Sequence, residues 1–195
     1  MLILASRSKA RQALLSSAGL SFDALAPAVD ERAVEAELGE TAPPDCVAAA
    51  LAKAKAQDVS RRVAGAWVIG ADQTLALEGR MFHKPETLEA ARAQLDILRG
   101  RTHRLQAGIA LARDGEVVWS HVDSAELTMR EFSAAERDAV LRLEGEGALE
   151  SVGAYRLEGP SVRLFDSVKG DYFTILGLPL LPLLGALRRY APEVF

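Results

Sequence analysis

Three stretches of this chain carry side chains whose types and spacing can do chemistry. The first is Ser6-Arg7-Ser8-Lys9-Ala10-Arg11, two hydroxyls and three cations where a short apolar run gives way to a helical pattern. A helix N-terminus already carries about +0.5 of charge, so cations in its first turn are unfavourable unless an anion joins them. Free backbone N–H groups, the Ser6 and Ser8 hydroxyls and a guanidinium together make a phosphate cradle. The alternative is a solvated basic turn with Ser8 as its cap. The second feature is acidic. Asp72 directly follows the apolar run AWVIGA (66–71), and ligands of open α/β sheets lie beyond the carboxyl ends of strands. Asp30-Glu31 could add another carboxylate, and such hard oxygen donors suit Mg²⁺ or Mn²⁺ shared with a substrate phosphate. Taken alone, Asp30-Glu31 reads as an acidic loop.

The third feature is the lysines. Lys84 precedes Pro85 and a helix start, and Lys53 and Lys55 fall on different faces of an Ala-rich helix; each could equally be a solvated surface residue. The three histidines, His83, His103 and His121, have no partner at helical spacing and read as bystanders. No GxxxxGK[ST], GxGxxG or GxSxG pattern is present, and Gly145-Glu146-Gly147 reads as a loop.

The elements that must position these residues follow from hydrophobic period and turn chemistry. Leu2–Ala5 reads as a strand, and Ala10, Leu14, Leu15 and Ala18 as a helix closed by Gly19. Phe22–Ala26 is a second short strand. Pro43-Pro44 open a helix through about Asp58, with Val47, Ala50, Leu51 and Ala54 on one face. The run 66–71 is a buried strand, and Glu78-Gly79 turns a hairpin between 74–77 and 80–82. Leu88, Ala91, Leu95 and Leu98 mark a helix ending at Gly100. Strands at 104–112 and 117–129 flank an Asp114-Gly115 turn. Ser133 and Glu136 form a capping box for a helix through Leu143. The apolar stretch Phe173–Leu187 reads as a buried strand leading into a buried helix. Strands alternating with helices, plus hairpins, predict an α/β fold with a mixed sheet.

Composition bounds the rest. At 195 residues the chain is expected to be a single domain, 1–195, or one with a small lobe. Such a chain buries about 70% of its unfolded surface and needs no staples. A formal charge of −4 disfavours duplex nucleic acid and anionic membranes as partners. The chain is 49% hydrophobic and 26% charged, which excludes disorder. The single cysteine, Cys46, excludes an intrachain disulfide, and a cytoplasmic setting is the simplest reading. Leu2–Ala5 is too short for a signal-peptide core of about 7–15 residues. Phe173–Leu187 is broken by Gly177, Pro179, Pro182 and Gly185, and falls short of the ~20 residues of a membrane span.

Taken in order, eight segments resemble the Maf family of nucleoside triphosphate pyrophosphatases. They are LASRSKAR (4–11), PAVDE (27–31), LAKAKA (51–56), IGADQT (69–74), HKP (83–85), LRGRTH (98–103), VGAYRLEG (152–159) and GDYFTILGLPL (170–180). The resemblance covers nearly the whole chain. It implies an elongated mixed sheet flanked by helices, two lobes around a deep central groove, and a homodimer. It further implies metal-dependent hydrolysis, with Mg²⁺ or Mn²⁺, between the α and β phosphates of a nucleotide. Carried over by position, Asp72 is the proton acceptor, and Glu31 and Asp72 are metal ligands. Ser6, Ser8, Arg11, Lys55 and Lys84 are phosphate-binding residues. The chain departs from the family pattern at Lys9, where Pro is usual, at Ala10, where a bulky residue is common, and at His83, where Gly is usual.

Three positions bear on substrate choice: Ala10, Gln73 and Glu158. Family members resembling pyrimidine triphosphate hydrolases carry Thr after the catalytic Asp and Gln before the late Gly. Gln73 and Glu158 instead resemble the subgroup acting on 7-methyl-GTP. A carboxylate can accept both N1–H and the N2 amino group of guanine, and N7 methylation adds positive charge to the ring. The same carboxylate would face the carbonyls of uracil or thymine. Two alternatives are a pyrimidine-directed or broad-range pyrophosphatase of the same fold, and a non-catalytic, nucleotide-binding regulator of septum formation.

Overall fold

Side-chain alternation along the central strands decides which residues meet which helices. The computed structural model describes all of residues 1–195. Its elements are β1 (Leu2–Ala5), α1 (Lys9–Ser17), β2 (Asp23–Ala24), α2 (Glu31–Leu38), α3 (Pro44–Arg62), β3 (Trp67–Leu77) and β4 (Arg80–Phe82). There follow α4 (Leu88–Leu98), β5 (Thr102–Arg113), β6 (Glu116–Met129), α5 (Ala134–Glu144), β7 (Phe165–Lys169), α6 (Tyr172–Ile175) and α7 (Leu180–Tyr190). Seven strands form one sheet in the order β2-β1-β3-β5-β6-β7, with β4 paired to β3. β1 runs parallel to β2 and β3, whereas β3–β4 and β6–β7 are antiparallel, so the sheet is mixed as expected.

The chain divides into two compact units. The first comprises Met1–Gln73, Gln106–Asp123 and Tyr172–Phe195; the second comprises Thr74–Leu105 and Ser124–Asp171. In the first unit Leu2 and Leu4 of β1 share a core with Trp67, Ile69 and Ala71 of β3, Leu14 and Leu15 of α1, and Leu183 and Leu187 of α7. The residues of opposite parity, Ile3, Ala5 and Val68, pack instead against Val59 of α3. This two-sided burial is why 66–71 reads as an unbroken apolar run. By the same alternation Asp72 falls on the α3 side and Gln73 on the other.

α3 lies unusually close to the strands beneath it. A Cβ on Gly70 would stand 2.1 Å from the Ala52 carbonyl oxygen, and one on Gly108 2.3 Å from that of Ala48. Ala52 and Ala56 complete the tight seam with Ala110 and Ala112. In the second unit α4 buries Ala91, Leu95 and Leu98, and α5 buries Val140 and Leu141. Both halves of the Ser133–Glu136 capping box are formed. His103 is 1% exposed and shares a 2.7 Å hydrogen bond, through Nε2, with Tyr155 Oη. Burial lowers its pKa to about 4.

Several expectations need correction. The strand expected over 22–26 shrinks to the two residues of β2. The Ala-rich helix continues to Arg62, and its buried face is Val47, Ala48, Leu51, Ala52, Lys55 and Ala56, not Ala50 or Ala54. β3 continues through Asp72 to Leu77, so Asp72 lies inside a strand; it is β1 that stops there, Ala5 pairing with Gly70. No strand forms at Phe173. Leu176 N–H bonds back to the Tyr172 carbonyl (3.2 Å), and Gly177, at φ +85°, ends the turn of α6. The last strand is instead Phe165–Lys169, largely exposed and lacking an apolar run to announce it.

Two outcomes test this packing. Gly70→Ala should destabilise by about 2–3 kcal/mol, since the new methyl meets backbone rather than a movable side chain. Gly185→Ala, exposed in α7 with open space around it, should instead stabilise by roughly 0.5–1 kcal/mol; urea midpoints at constant m decide both. Between about pH 6.5 and 4 the unfolded chain binds a proton at His103 that the folded chain refuses. Stability should therefore fall as pH drops through that window. His103→Gln should remove that part of the slope.

Candidate active site

The charged cluster of the first unit is built by three elements. β3 directs Asp72 toward α3, the glycine seam brings α3 close, and Lys55 lies between Ala52 and Ala56 on the buried face. Lys55 is 7% exposed and Asp72 is 9% exposed. The Lys55 ammonium stands 2.5 Å from Asp72 Oδ1 and 2.7 Å from Glu31 Oε1. Glu31 reaches it from the first turn of α2, a helix capped by Asp30, whose carboxylate accepts from Ala33 N–H at 3.1 Å. The acidic pair 30–31 is therefore not a loop. One acid caps the helix, and the other enters the cluster.

The N-terminal turn adds a second cation. Ser8 caps α1, accepting from Arg11 N–H at 3.4 Å, and Ser6 Oγ accepts from Ser8 N–H at 3.2 Å. The Arg11 side chain folds back over this turn. Its Nη1 donates to the Ala71 carbonyl (2.8 Å) and to Ser6 Oγ (3.3 Å), and its Nε donates to the Gly177 carbonyl (2.8 Å). Burial pulls the guanidinium below its usual pKa, while the charges of Asp72 and Glu31 pull it up. Arg11 thus belongs to the same electrostatic neighbourhood as the Lys55 cluster.

Gln73 points to the opposite side of β3 from Asp72. Its Nε2 donates to the Thr174 and Ile175 carbonyls, both at 3.0 Å, and so holds the end of α6. Thr174, fully buried, donates to Asp123 Oδ2 at 2.9 Å. A Cβ on Gly177 would come within 3.3 Å of the Arg11 guanidinium and 3.5 Å of Gln73 Oε1. One glycine therefore meets both a phosphate-site and a specificity-site candidate. Sequence reading gave Gly177 no site role, although it lies in the quoted GDYFTILGLPL segment. Ala10 is the second residue of α1 and half-buried.

The first unit thus gathers Ser6, Ser8, Arg11, Glu31, Lys55, Asp72 and Gln73. Lys84 and Glu158 belong to the second unit. Lys84 is exposed between β4 and the Thr87 cap of α4, and Glu158 is exposed in a turn closed by Gly159 N–H to the Arg156 carbonyl (3.1 Å). His121 stacks on Trp119, and Cys46 is free and exposed. No group of three or more His, Cys, Asp or Glu is placed to hold a metal. Asp72 and Glu31 are, however, two hard oxygen donors converging on one positive charge, and carboxylates of this kind have the chemistry to hold a divalent ion. No helix is long and apolar enough to cross a membrane.

The family model described as Maf-like protein matches residues 1–190. The chain is 53% identical over 189 residues to a 7-methyl-GTP pyrophosphatase of Brucella abortus biovar 1 (strain 9-941), covering 96% of this chain and 95% of that one. It is 55% identical over 188 residues to a 7-methyl-GTP pyrophosphatase of Rhizobium etli (strain ATCC 51251), covering 96% and 94%. A nucleoside triphosphate pyrophosphatase of Rhodopseudomonas palustris (strain BisB18) is 50% identical over 188 residues, covering 96% and 93%.

Breaking the buried ion pair has a measurable cost. Lys55→Met should destabilise by about 3 kcal/mol, because Asp72 is left buried without its cation. Adding Asp72→Asn to that variant should recover part of the loss. The non-additivity, read from urea unfolding of the four chains of the cycle, measures the coupling.

Proposed function

The chain belongs to the Maf-like protein family, and from that premise we propose that it hydrolyses a nucleoside triphosphate, 7-methyl-GTP foremost, to the monophosphate and pyrophosphate. In this reading water attacks the α-phosphorus, the bond to the bridging oxygen breaks, and pyrophosphate leaves. The observation that carries it is the convergence of Asp72 and Glu31 on a single cation beside the α1 turn.

Asp72 accepts the proton of the attacking water. Asp72 and Glu31 are the residues that would hold Mg²⁺ or Mn²⁺, which when bound supplies charge neutralisation for the polyphosphate. Ser6, Ser8, Arg11, Lys55 and Lys84 bind phosphate oxygens. The Ser6 and Ser8 hydroxyls stand at the positive end of α1, and the backbone carbonyls of Ala71 and Gly177 hold the Arg11 guanidinium in one orientation. Glu158 selects the base, its carboxylate accepting from the guanine N1–H and N2 amino group, with Gln73 and Ala10 contributing to the choice. The family resemblance also carries a homodimer into this reading, and the single cysteine, the exposed free Cys46, carries a cytosolic setting.

Purified protein with Mg²⁺ or Mn²⁺ should release pyrophosphate and monophosphate in equal amounts from 7-methyl-GTP. Asp72→Asn should lower kcat by about 10²–10⁴-fold with an unchanged circular-dichroism spectrum. Unchanged turnover in the folded variant would remove Asp72 from its role, and an intact triphosphate after long incubation with metal would favour binding without catalysis. Glu158→Gln combined with Gln73→Thr should move preference toward UTP and dTTP. An unmoved preference counts against the assignment of the base.

A further inference from the structure

Glu158 is an exposed side chain on a turn, yet the backbone beneath it is held more firmly than an ordinary surface loop needs. The turn runs from Arg156 to Gly159. Both of its ends meet Glu144, whose side chain is completely buried at the end of α5. One Glu144 oxygen takes Arg156 Nε at 2.8 Å and Nη2 at 2.7 Å; the other takes Ser161 N–H at 2.9 Å and its hydroxyl at 2.8 Å. Gly159 lies so close that a Cβ there would stand 2.6 Å from Glu144 Oε1.

The approach to the turn is fixed just as closely. Tyr155 is 3% exposed, and its hydroxyl meets His103 Nε2 at 2.7 Å. The Tyr155 ring covers Gly153, where a Cβ would come within 2.1 Å of it, and stands edge-on to Phe165 at 4.8 Å. Ala154 between them adopts φ +58°, a left-handed conformation unusual for a residue with a Cβ, and is fully buried. Such strain persists only where surrounding contacts over-determine it. His103 Nδ1 is buried with no hydrogen-bond partner, a cost accepted at this place although nothing in the hydrolysis uses the imidazole.

We propose that the buried His103–Tyr155 pair, together with the Glu144 clamp, is a positioning device that presents the Glu158 carboxylate to the nucleobase in one fixed place. His103 and Tyr155 are positioning residues for base selection and touch neither the phosphates nor the water. The inference rests on the proposed role of Glu158. Binding that depends on two hydrogen bonds to one carboxylate tolerates little wandering of the backbone that carries it. A loosened turn therefore weakens capture of the guanine edge and leaves the phosphate chemistry alone.

Tyr155→Phe removes the hydroxyl and keeps the ring. It should raise KM for 7-methyl-GTP by about three- to tenfold, with kcat changed less than about twofold and KM for UTP unmoved. His103→Gln, whose amide nitrogen can take the place of Nε2, should keep KM near the parent value, whereas His103→Leu should match Tyr155→Phe. In a Glu158→Gln background, Tyr155→Phe should add nothing further to KM. Tyr155→Phe acting equally on both substrates, lowering kcat alone, or adding its full effect to Glu158→Gln would overturn the positioning role while leaving Glu158 in place. A Glu158→Gln chain whose KM for 7-methyl-GTP equals the parent's would instead remove the base-selecting role of Glu158, and this inference with it.

Discussion

A lysine ammonium held between two carboxylates is the constraint around which the first unit is organised. Lys55 is nearly buried, and desolvating its charge is tolerable only because Asp72 and Glu31 stand within 2.7 Å of it. That geometry has structural prerequisites. α3 must approach the strands closely enough for a lysine on its inner face to reach β3, and Gly70 and Gly108 permit this by having no side chain. α2 must begin where Glu31 can reach the same ammonium, and the Asp30 cap fixes that start. β1 must stop at Ala5, so that the chain turns into α1 and Arg11 folds back onto the Ala71 carbonyl beside Asp72.

The second unit solves a different problem with similar means. It too buries a charge, Glu144, and matches it fully, here with an arginine and a serine. In the first unit the buried charge is itself a candidate reactive group. In the second the buried charge supports a neighbouring one, Glu158, which stays in solvent. Both arrangements follow the rule that a charge leaves water only when its partners are built in. In each case a glycine permits a close approach: Gly70 under α3, Gly159 against Glu144.

Much of this was legible in the residues, and the gaps have physical causes. The capping box at Ser133, the hairpin turns at Glu78-Gly79 and Asp114-Gly115, and the helix ending near Gly100 depend on local chemistry within a few residues, so their positions hold. The runs 66–71 and 74–77 both read as strands, yet the polar Asp72-Gln73 between them broke the apolar pattern and hid that they form one continuous β3. α2 went unseen because it is only eight residues long, none of them buried, and its opening acids Asp30-Glu31 read as a loop. The turn of α6 reads as a strand in sequence because four residues are too few to show a helical period. Sequence separated Lys53 from Lys55 by face and singled out Asp72 beyond the apolar run. It could not say that Lys55 bridges Asp72 and Glu31, because that contact depends on how closely α3 sits on β3. His103 reads as a bystander in sequence; its burial against Tyr155 is visible only in the fold.

The central claim is that Asp72 and Glu31 form the cation-holding pair of a phosphate-processing site. The most direct measurement is anomalous diffraction from crystals soaked with Mn²⁺ and a non-hydrolysable 7-methyl-GTP analogue. The account predicts a manganese peak within coordination distance of carboxylate oxygens from both Asp72 and Glu31. A nucleotide and metal bound with neither carboxylate in reach of the ion would contradict it.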